Sequence, residues 1–352
     1  MGVEVTPART RHSLRATPET VHWGFFSGTR PPVLEVRSGD LVEIETITHQ
    51  AGDAPDLLMD AAIAAVFDQV VDRGPGPHIL TGPIFVAGAR PGDALAVRIL
   101  DATPRLPFGT NLAAGWGALH DAFGKERVTV YDIDMAAGRA GPRFAFDWPA
   151  TPRADAIGTV VPAGSTRRER VTPGISVPLR PHFGVMGVAP RGGGRIDTVP
   201  PGPFGGNVDN WRFGPGAVVY YPVAHDGALL SIGDPHAAEG DGELSGTAIE
   251  ASLNGVVELT VVPGVRLTSP VARTADHWIT HGFGPDLDTA LRAAADAMLE
   301  LLTGAHGLTR DDAYSLMSAA VDFGVTQVVN RTKGVHALVP VDAIPVSRWP
   351  FP

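Results

Sequence analysis

The sequence has no cysteine, and only two of its 352 residues are lysine, Lys125 and Lys333. Without a thiol there is no disulfide, no thiolate metal site and no cysteine nucleophile. Chemistry that needs a catalytic lysine has two candidates. No window approaches the roughly 18 consecutive apolar residues of a membrane-spanning helix. The opening stretch MGVEVTPARTRHSLRATPETVHWG lacks the apolar core of a signal peptide. These absences lead to the expectation of a soluble, cytoplasmic protein with no membrane partner. Cations are also short: 28 against 38 acidic residues, a formal net charge of −10. That balance argues against a nucleic-acid platform, which would need a basic face. The local cluster Arg167, Arg168 and Arg170 reads as a solvated loop. No G-x-S-x-G elbow occurs, and no P-loop or Rossmann glycine fingerprint lies between a strand and a helix. Ser245, followed by Gly246 and just after the acidic run 233–243, is a remote candidate nucleophile.

What the chain has in quantity is glycine (42) and proline (32). That composition disfavours long helices and suits short strands joined by turns. Apolar and polar residues alternate over 33–36 and 41–46, and again over 94–100 beyond Pro91-Gly92-Asp93. Asp226-Gly227 separates two apolar runs, 217–223 and 228–232, and Asn254-Gly255 separates 247–251 from 256–262. Both read as hairpins. Helical spacing is confined to 57–71, 287–302 and the segment opened by the Thr309/Asp312 pair. In 287–302 the expected buried face is Leu287, Leu291, Ala294, Met298 and Leu301. The expected organisation is a β-rich region over 1–165, a central β region over 166–270 and an α/β region over 271–352.

The densest run of chemically useful side chains is Gly233-Asp234-Pro235-His236-Ala237-Ala238-Glu239-Gly240-Asp241-Gly242-Glu243. In extended backbone Asp234 and His236 share a face, as do Asp241 and Glu243. One imidazole with carboxylates suits a divalent ion such as zinc; an Asp-Gly pair is also an ordinary turn. A second run, Pro200-Pro201-Gly202-Pro203-Phe204-Gly205-Gly206-Asn207-Val208-Asp209-Asn210, presents Asn207 and Asp209 from a stiff loop. Its glycine N–H groups are candidate oxyanion donors. His22 beside Trp23, and His78 within Gly76-Pro77-His78, are residues that pack more often than they react. His49, His120, His182 and His225 carry less signal still. His277 and His281 have metal-like spacing only on a helix, which Gly282 and Gly284 oppose.

The segments HWGFFSGTRPPVLEVRSGD, TGPIFVAGARPGD, HFGVMGVAP, GGNVDN and GALLSIGDPHAAEGDGE occur in that order. They are followed by SAAVDFGVTQVVN and KGVHALVP. Together they resemble the acetamidase/formamidase family from about residue 20 to 340. The resemblance implies a mainly β fold, with a β-sandwich or jelly-roll-like core and a smaller α/β C-terminal part. It also implies hydrolysis of short amides to carboxylate and ammonia, and dependence on a metal ion near the Asp and His residues of these motifs. The matching positions are Asn207, Asp209, Asp234, His236, Asp241 and Glu243, and His22 matches a branch that begins with HWG. Phe204 stands where members often carry His, which points to an altered acyl specificity, with the 57–72 segment as a pocket wall.

The residue inventory agrees on chemistry. Nitrilase-type amidases need a cysteine and a lysine, and the Ser-Ser-Lys type needs a Gly-Ser-rich segment that is absent. The expected arrangement is an ion held by Asp209, Asp234 and His236 that activates water and polarises the carbonyl. Glu243 or Asp241 would move the proton, and Asn207 or backbone N–H groups would hold the oxyanion. Zinc is the expected metal, with calcium as a second or structural ion. A small-molecule amide and a second copy of the chain in a homodimer are the expected partners. The rival readings are a hydrolase of cyclic imides or carbamates, and a β-sandwich binding protein with a structural metal.

Overall fold

A computed structural model describes residues 9–148, 152–349 and 351. The first eight residues of the stretch read for a leader lie outside that range, as does Thr151 at the start of the Gly/Pro-rich segment 151–176. Two large sheets dominate. One has nine strands, in the order Arg11–Leu14, Asp40–Thr46, Leu253–Val262, Ala94–Pro104, Val218–Pro222, Val271–Arg273, His277–Gly284, Lys333–Pro340 and Asp322–Gln327. The other has eleven and is centred on Leu230–Ala238, which pairs with His182–Gly187, Ile79–Ala87 and Ile249–Glu250. The first sheet draws on all three of the expected spans, so those spans are interleaved in space.

Side-chain alternation explains the layering. In Asp40–Thr46, Val42 and Ile44 point inward, as do Leu95, Val97 and Ile99 of Ala94–Pro104. They meet Ile84, Val86, Phe183, Met186, Leu230 and Ile232 of the second sheet. Each such fully buried side chain contributes about 1.5–3 kcal/mol of hydrophobic stabilisation. This is the sandwich core. The alternate residues, Ala94, Ala96, Val218 and Tyr220, face the other way and pack against the helices Leu287–Glu300 and Arg310–Ala320.

The first of those helices is rotated from its expected setting. Leu287 and Leu291 are exposed, while Ala290, Ala294 and Met298 are buried. The cause is close packing on the strand beneath. A Cβ on Gly282 would lie 2.2 Å from Ala290 O and 2.1 Å from Ala294 N, so only small residues fit that contact. The expected hairpins also resolve differently. The Asp226-Gly227 turn carries the chain from Val218–Pro222 in one sheet to Leu230–Ala238 in the other. Asn254-Gly255 lies inside the single strand Leu253–Val262. The Asp226-Gly227 turn thus marks a corner between the two layers of the sandwich. The expected 57–71 helix is two, Pro55–Leu58 and Ala61–Gln69, because Asp60 caps the second by accepting from the N–H of Ala62 and Ile63.

Candidate active site

The fully buried strand Leu230–Ala238 supplies Asp234 and His236. Asp234 has φ of 50°, in the left-handed region, so the expected two-residue alternation is broken there. Its carboxylate nonetheless meets the imidazole, with Oδ2 3.2 Å from His236 Nε2. Asp209, just after Gly205–Asn207, and Glu243, in the turn after the central strand, have φ of 48° and 46°. Three carboxylate residues of one site thus adopt a conformation that non-glycine residues usually avoid. Each holds about 1–3 kcal/mol of strain that the surrounding fold must offset.

Further residues converge on this centre. His49 Nδ1 is 3.5 Å from Asp234 Oδ1, and His78 Nε2 is 3.7 Å from Asp234 Oδ2. Thr198 Oγ1 hydrogen-bonds His78 Nδ1 at 2.9 Å and so orients Nε2 toward the centre. Glu250 Oε1 lies 3.1 Å from His236 Nε2, and Glu239 Oε2 lies 3.3 Å from His236 Nδ1. Asn330 Nδ2 donates to Asp209 Oδ2 at 2.5 Å. A cavity of about 200 Å³ opens onto these groups. Trp116, Ile157, Val199 and Val329 give it apolar walls, and Gln50, Asn207, Asn330 and Arg331 give it polar ones.

The donor atoms fit a divalent cation. His49 Nδ1, Asp209 Oδ1, Asp234 Oδ1, His236 Nε2 and Glu243 Oε2 are all buried without a hydrogen-bond partner. Buried polar atoms are otherwise almost always paired. The ligand atoms of His49, His78 and Asp234 lie within 4.8 Å of one another, as do those of Asp209, His236 and Glu243. Gly184 makes room for the cluster. A Cβ there would lie 2.8 Å from Asp234 Oδ2 and 2.6 Å from His236 Cε1.

The electrostatics carry the mark of crowded negative charge. Burial, reinforced by Asp234, pushes Asp209 well above the ordinary carboxylate range. Burial, Asp209 and Glu239 do the same to Glu243. Burial alone would raise Asp234, but His78 and His236 outweigh it and hold its carboxyl well below the usual value. Burial disfavours the charged form of His236, yet Glu250 and Asp234 carry its pKa well above 6.5. Burial lowers His78 to about 4, with partial compensation from Asp234.

Of the residues singled out in the sequence, Asp209, Asp234, His236, Glu243 and Asn207 come together. Asp241 and His22 do not join them. The 241–243 stretch is a turn in which Gly242 and Glu243 take positive φ, so the two carboxylates diverge. Asp241 instead pairs with Arg212 at 2.8 Å and accepts from Trp211 Nε1 at 2.8 Å. His22 is packed, bonding Phe25 O at 2.7 Å and Ser231 Oγ at 3.0 Å. Asn207 Nδ2 donates to Val199 O and Gly205 N–H donates to Gly202 O, so both are occupied and not free for an oxyanion. Phe204 packs on Phe26, with ring centroids 5.1 Å apart, and neither it nor the 57–72 segment lines the cavity. His49, His78, Gln50, Glu250 and Asn330 carried little sequence signal. His49 and Gln50 sit in the turn after Asp40–Thr46, His78 just before Ile79–Ala87, Glu250 at the end of Ile249–Glu250 and Asn330 between Asp322–Gln327 and Lys333–Pro340, so only topology joins them.

The family model described as the acetamidase/formamidase family matches residues 12–195 and 193–271. The chain belongs to that family. It is 32% identical over 206 residues to an acetamidase of Mycolicibacterium smegmatis, covering 48% of this chain and 49% of that protein. It is 29% identical over 250 residues to a formamidase of Methylophilus methylotrophus, covering 61% and 57%. The chain thus spans about half the length of the curated relatives it matches. A solved structure described as a predicted acetamidase/formamidase, from the thermophile Thermoanaerobacter tengcongensis, superposes with a TM-score of 0.75 at 29% identity. That match covers 95% of this chain and 96% of the other. It carries the same mainly β architecture, and of the motifs named above GGNVDN, GDPHAAEGDGE and the end of SAAVDFGVTQVVN supply residues to the cavity wall.

Proposed function

We propose that this acetamidase/formamidase family member cleaves the C–N bond of short-chain amides, giving a carboxylate and ammonia, with a divalent metal, best zinc, as cofactor. The observation that carries the reading is the set of unpartnered buried imidazole and carboxylate atoms opening onto a small, largely apolar cavity. Asp209, Asp234 and His236, with His49 and His78 beside Asp234, are the residues that would hold the ion. Imidazole donors favour a transition metal over calcium, which prefers oxygen ligands alone. Such a metal supplies Lewis acidity toward the amide carbonyl and lowers the pKa of water.

The chain's own residues supply the rest. Thr198 orients His78, and Asn330 fixes Asp209. Glu243 Oε2 is buried, free of partners and in the cavity wall, placed to give a proton to the departing nitrogen. Trp116, Ile157, Val199 and Val329 receive the acyl group and exclude water. The test is ammonia release from a panel of amides, cyclic imides and carbamates, before and after chelation and with zinc or calcium restored. Amide turnover lost on chelation and regained with zinc is the expected result. Undiminished turnover in metal-free protein would overturn the metal assignment, and no turnover of any amide would overturn the reaction.

A further inference from the structure

Gln50 lies in the cavity wall, is 1% exposed, and has both Oε1 and Nε2 buried without a partner. Its backbone is held in place: Gln50 N–H donates to Thr48 Oγ1 at 3.1 Å, and Thr48 Oγ1 donates to Glu250 Oε2 at 3.2 Å. A third unpartnered atom, Asn207 Oδ1, belongs to the same wall. Its identity as oxygen follows from the other end of the amide, because Nδ2 donates to Val199 O at 3.1 Å. The wall therefore offers one N–H donor group and two oxygen acceptors, each buried and without a protein partner. Buried polar groups are otherwise almost always paired, so these atoms are free to meet the polar groups of a molecule in the cavity.

The geometry of a carboxamide says which ligand. Gln50 presents its donor and acceptor side by side in one plane. Its partner must present a C=O and an N–H on the same edge. Asn207 Oδ1, unpartnered in the same wall, is the acceptor left for a second N–H. An unsubstituted carboxamide has one C=O, one N–H beside it and one N–H on the opposite side. A trans N-alkyl amide lacks the N–H beside the carbonyl, and a lactam lacks the opposite one. We infer that Gln50, together with Asn207, reads the unsubstituted carboxamide of the substrate and sets the enzyme against N-alkyl amides. The inference rests on the amide-hydrolysis reading and assigns its specificity to a residue outside the metal-ligating cluster.

The experiment compares propionamide, N-methylpropionamide and 2-pyrrolidinone on the full metal-loaded chain, wild type and Gln50→Met. A buried hydrogen bond left unmade is worth about 10- to 100-fold. Wild type is expected to favour propionamide over its N-methyl form by at least that factor in kcat/KM. Gln50→Met, with unchanged thermal midpoint and metal content, is expected to lose most of that preference and to bind 2-pyrrolidinone more weakly. Wild type that does not discriminate, or a Gln50→Met protein that keeps the full preference, overturns the inference. The wild-type ratio stands as a test even if the variant does not fold. If wild type turns over none of the three, the reaction class has failed, and calorimetric titration of the same compounds tests Gln50 separately. An equal affinity for propionamide and N-methylpropionamide would then sink it.

Discussion

Gly184 stands so close to Asp209 that a methyl group on its Cα would lie 2.4 Å from the Asp209 Oδ1 atom. The donor cluster is therefore built around a residue with no side chain. Gly184→Ala is expected to push Asp209, Asp234 and His236 apart, with loss of bound metal and at least about a 100-fold fall in turnover, as small misplacements at reacting centres produce. Metal analysis of the purified variant checks it; full occupancy with normal turnover would contradict the arrangement.

The two carboxylates two residues apart have separate fates. Glu243→Gln is expected to reduce turnover by about 100-fold or more, from the lower end of the range of proton-transfer catalysis upward, with the fold intact. Asp241→Asn removes a half-exposed ion pair with Arg212 and is expected to cost at most about 1 kcal/mol, with turnover within about twofold of wild type. Steady-state kinetics and urea unfolding of the pair decide it. Equal losses in both variants would return Asp241 to the chemistry.

Gly282→Ala tests the helix seat. The new Cβ would meet backbone of Ala290 and Ala294, which cannot rotate away. A loss of about 3 kcal/mol is expected, at the upper end of overpacking effects. It is read as a lower urea midpoint at unchanged m-value. An unaltered midpoint would mean that the helix slides freely on the sheet.

His22 should make stability depend on pH. Unfolded, an imidazole takes its proton near 6.5; in the fold burial and Arg30 lower His22 to about 3. Between those values the unfolded chain binds more protons, so stability falls as pH drops through this window. The slope is up to about 1.4 kcal/mol per pH unit. Above 6.5 the contribution is complete. His22→Gln is expected to flatten unfolding free energy against pH between 6 and 4; an unchanged slope would place the proton uptake elsewhere.

The β class, the layered core and the two polar runs were legible because alternation and turn residues are local. Asp209, Asp234, His236 and Glu243 all come from motifs a reader can quote. The face shared by Asp241 and Glu243 was misleading because two-residue periodicity holds only for extended backbone, and Gly242 and Glu243 leave it. His49, His78, Gln50 and Glu250 were illegible for a different reason. Apart from the Gly76-Pro77 that precedes His78, nothing in their neighbourhoods marks them, and only the pairing of distant strands gathers them. The direction of Asn207 was hidden as well, since it depends on Val199 O eight residues away.

The bond from Asn330 to Asp209 spans 121 residues. Asn330 and Arg331 also complete the cavity wall. During synthesis the motif-bearing strands therefore emerge long before the segment that finishes the site. The cleft that holds Asp209, Asp234 and His236 therefore lacks part of its wall until residues 330 and 331 are in place. The hairpin of Asp322–Gln327 and Lys333–Pro340, at the edge of the nine-stranded sheet, is what closes the site built by the earlier motifs.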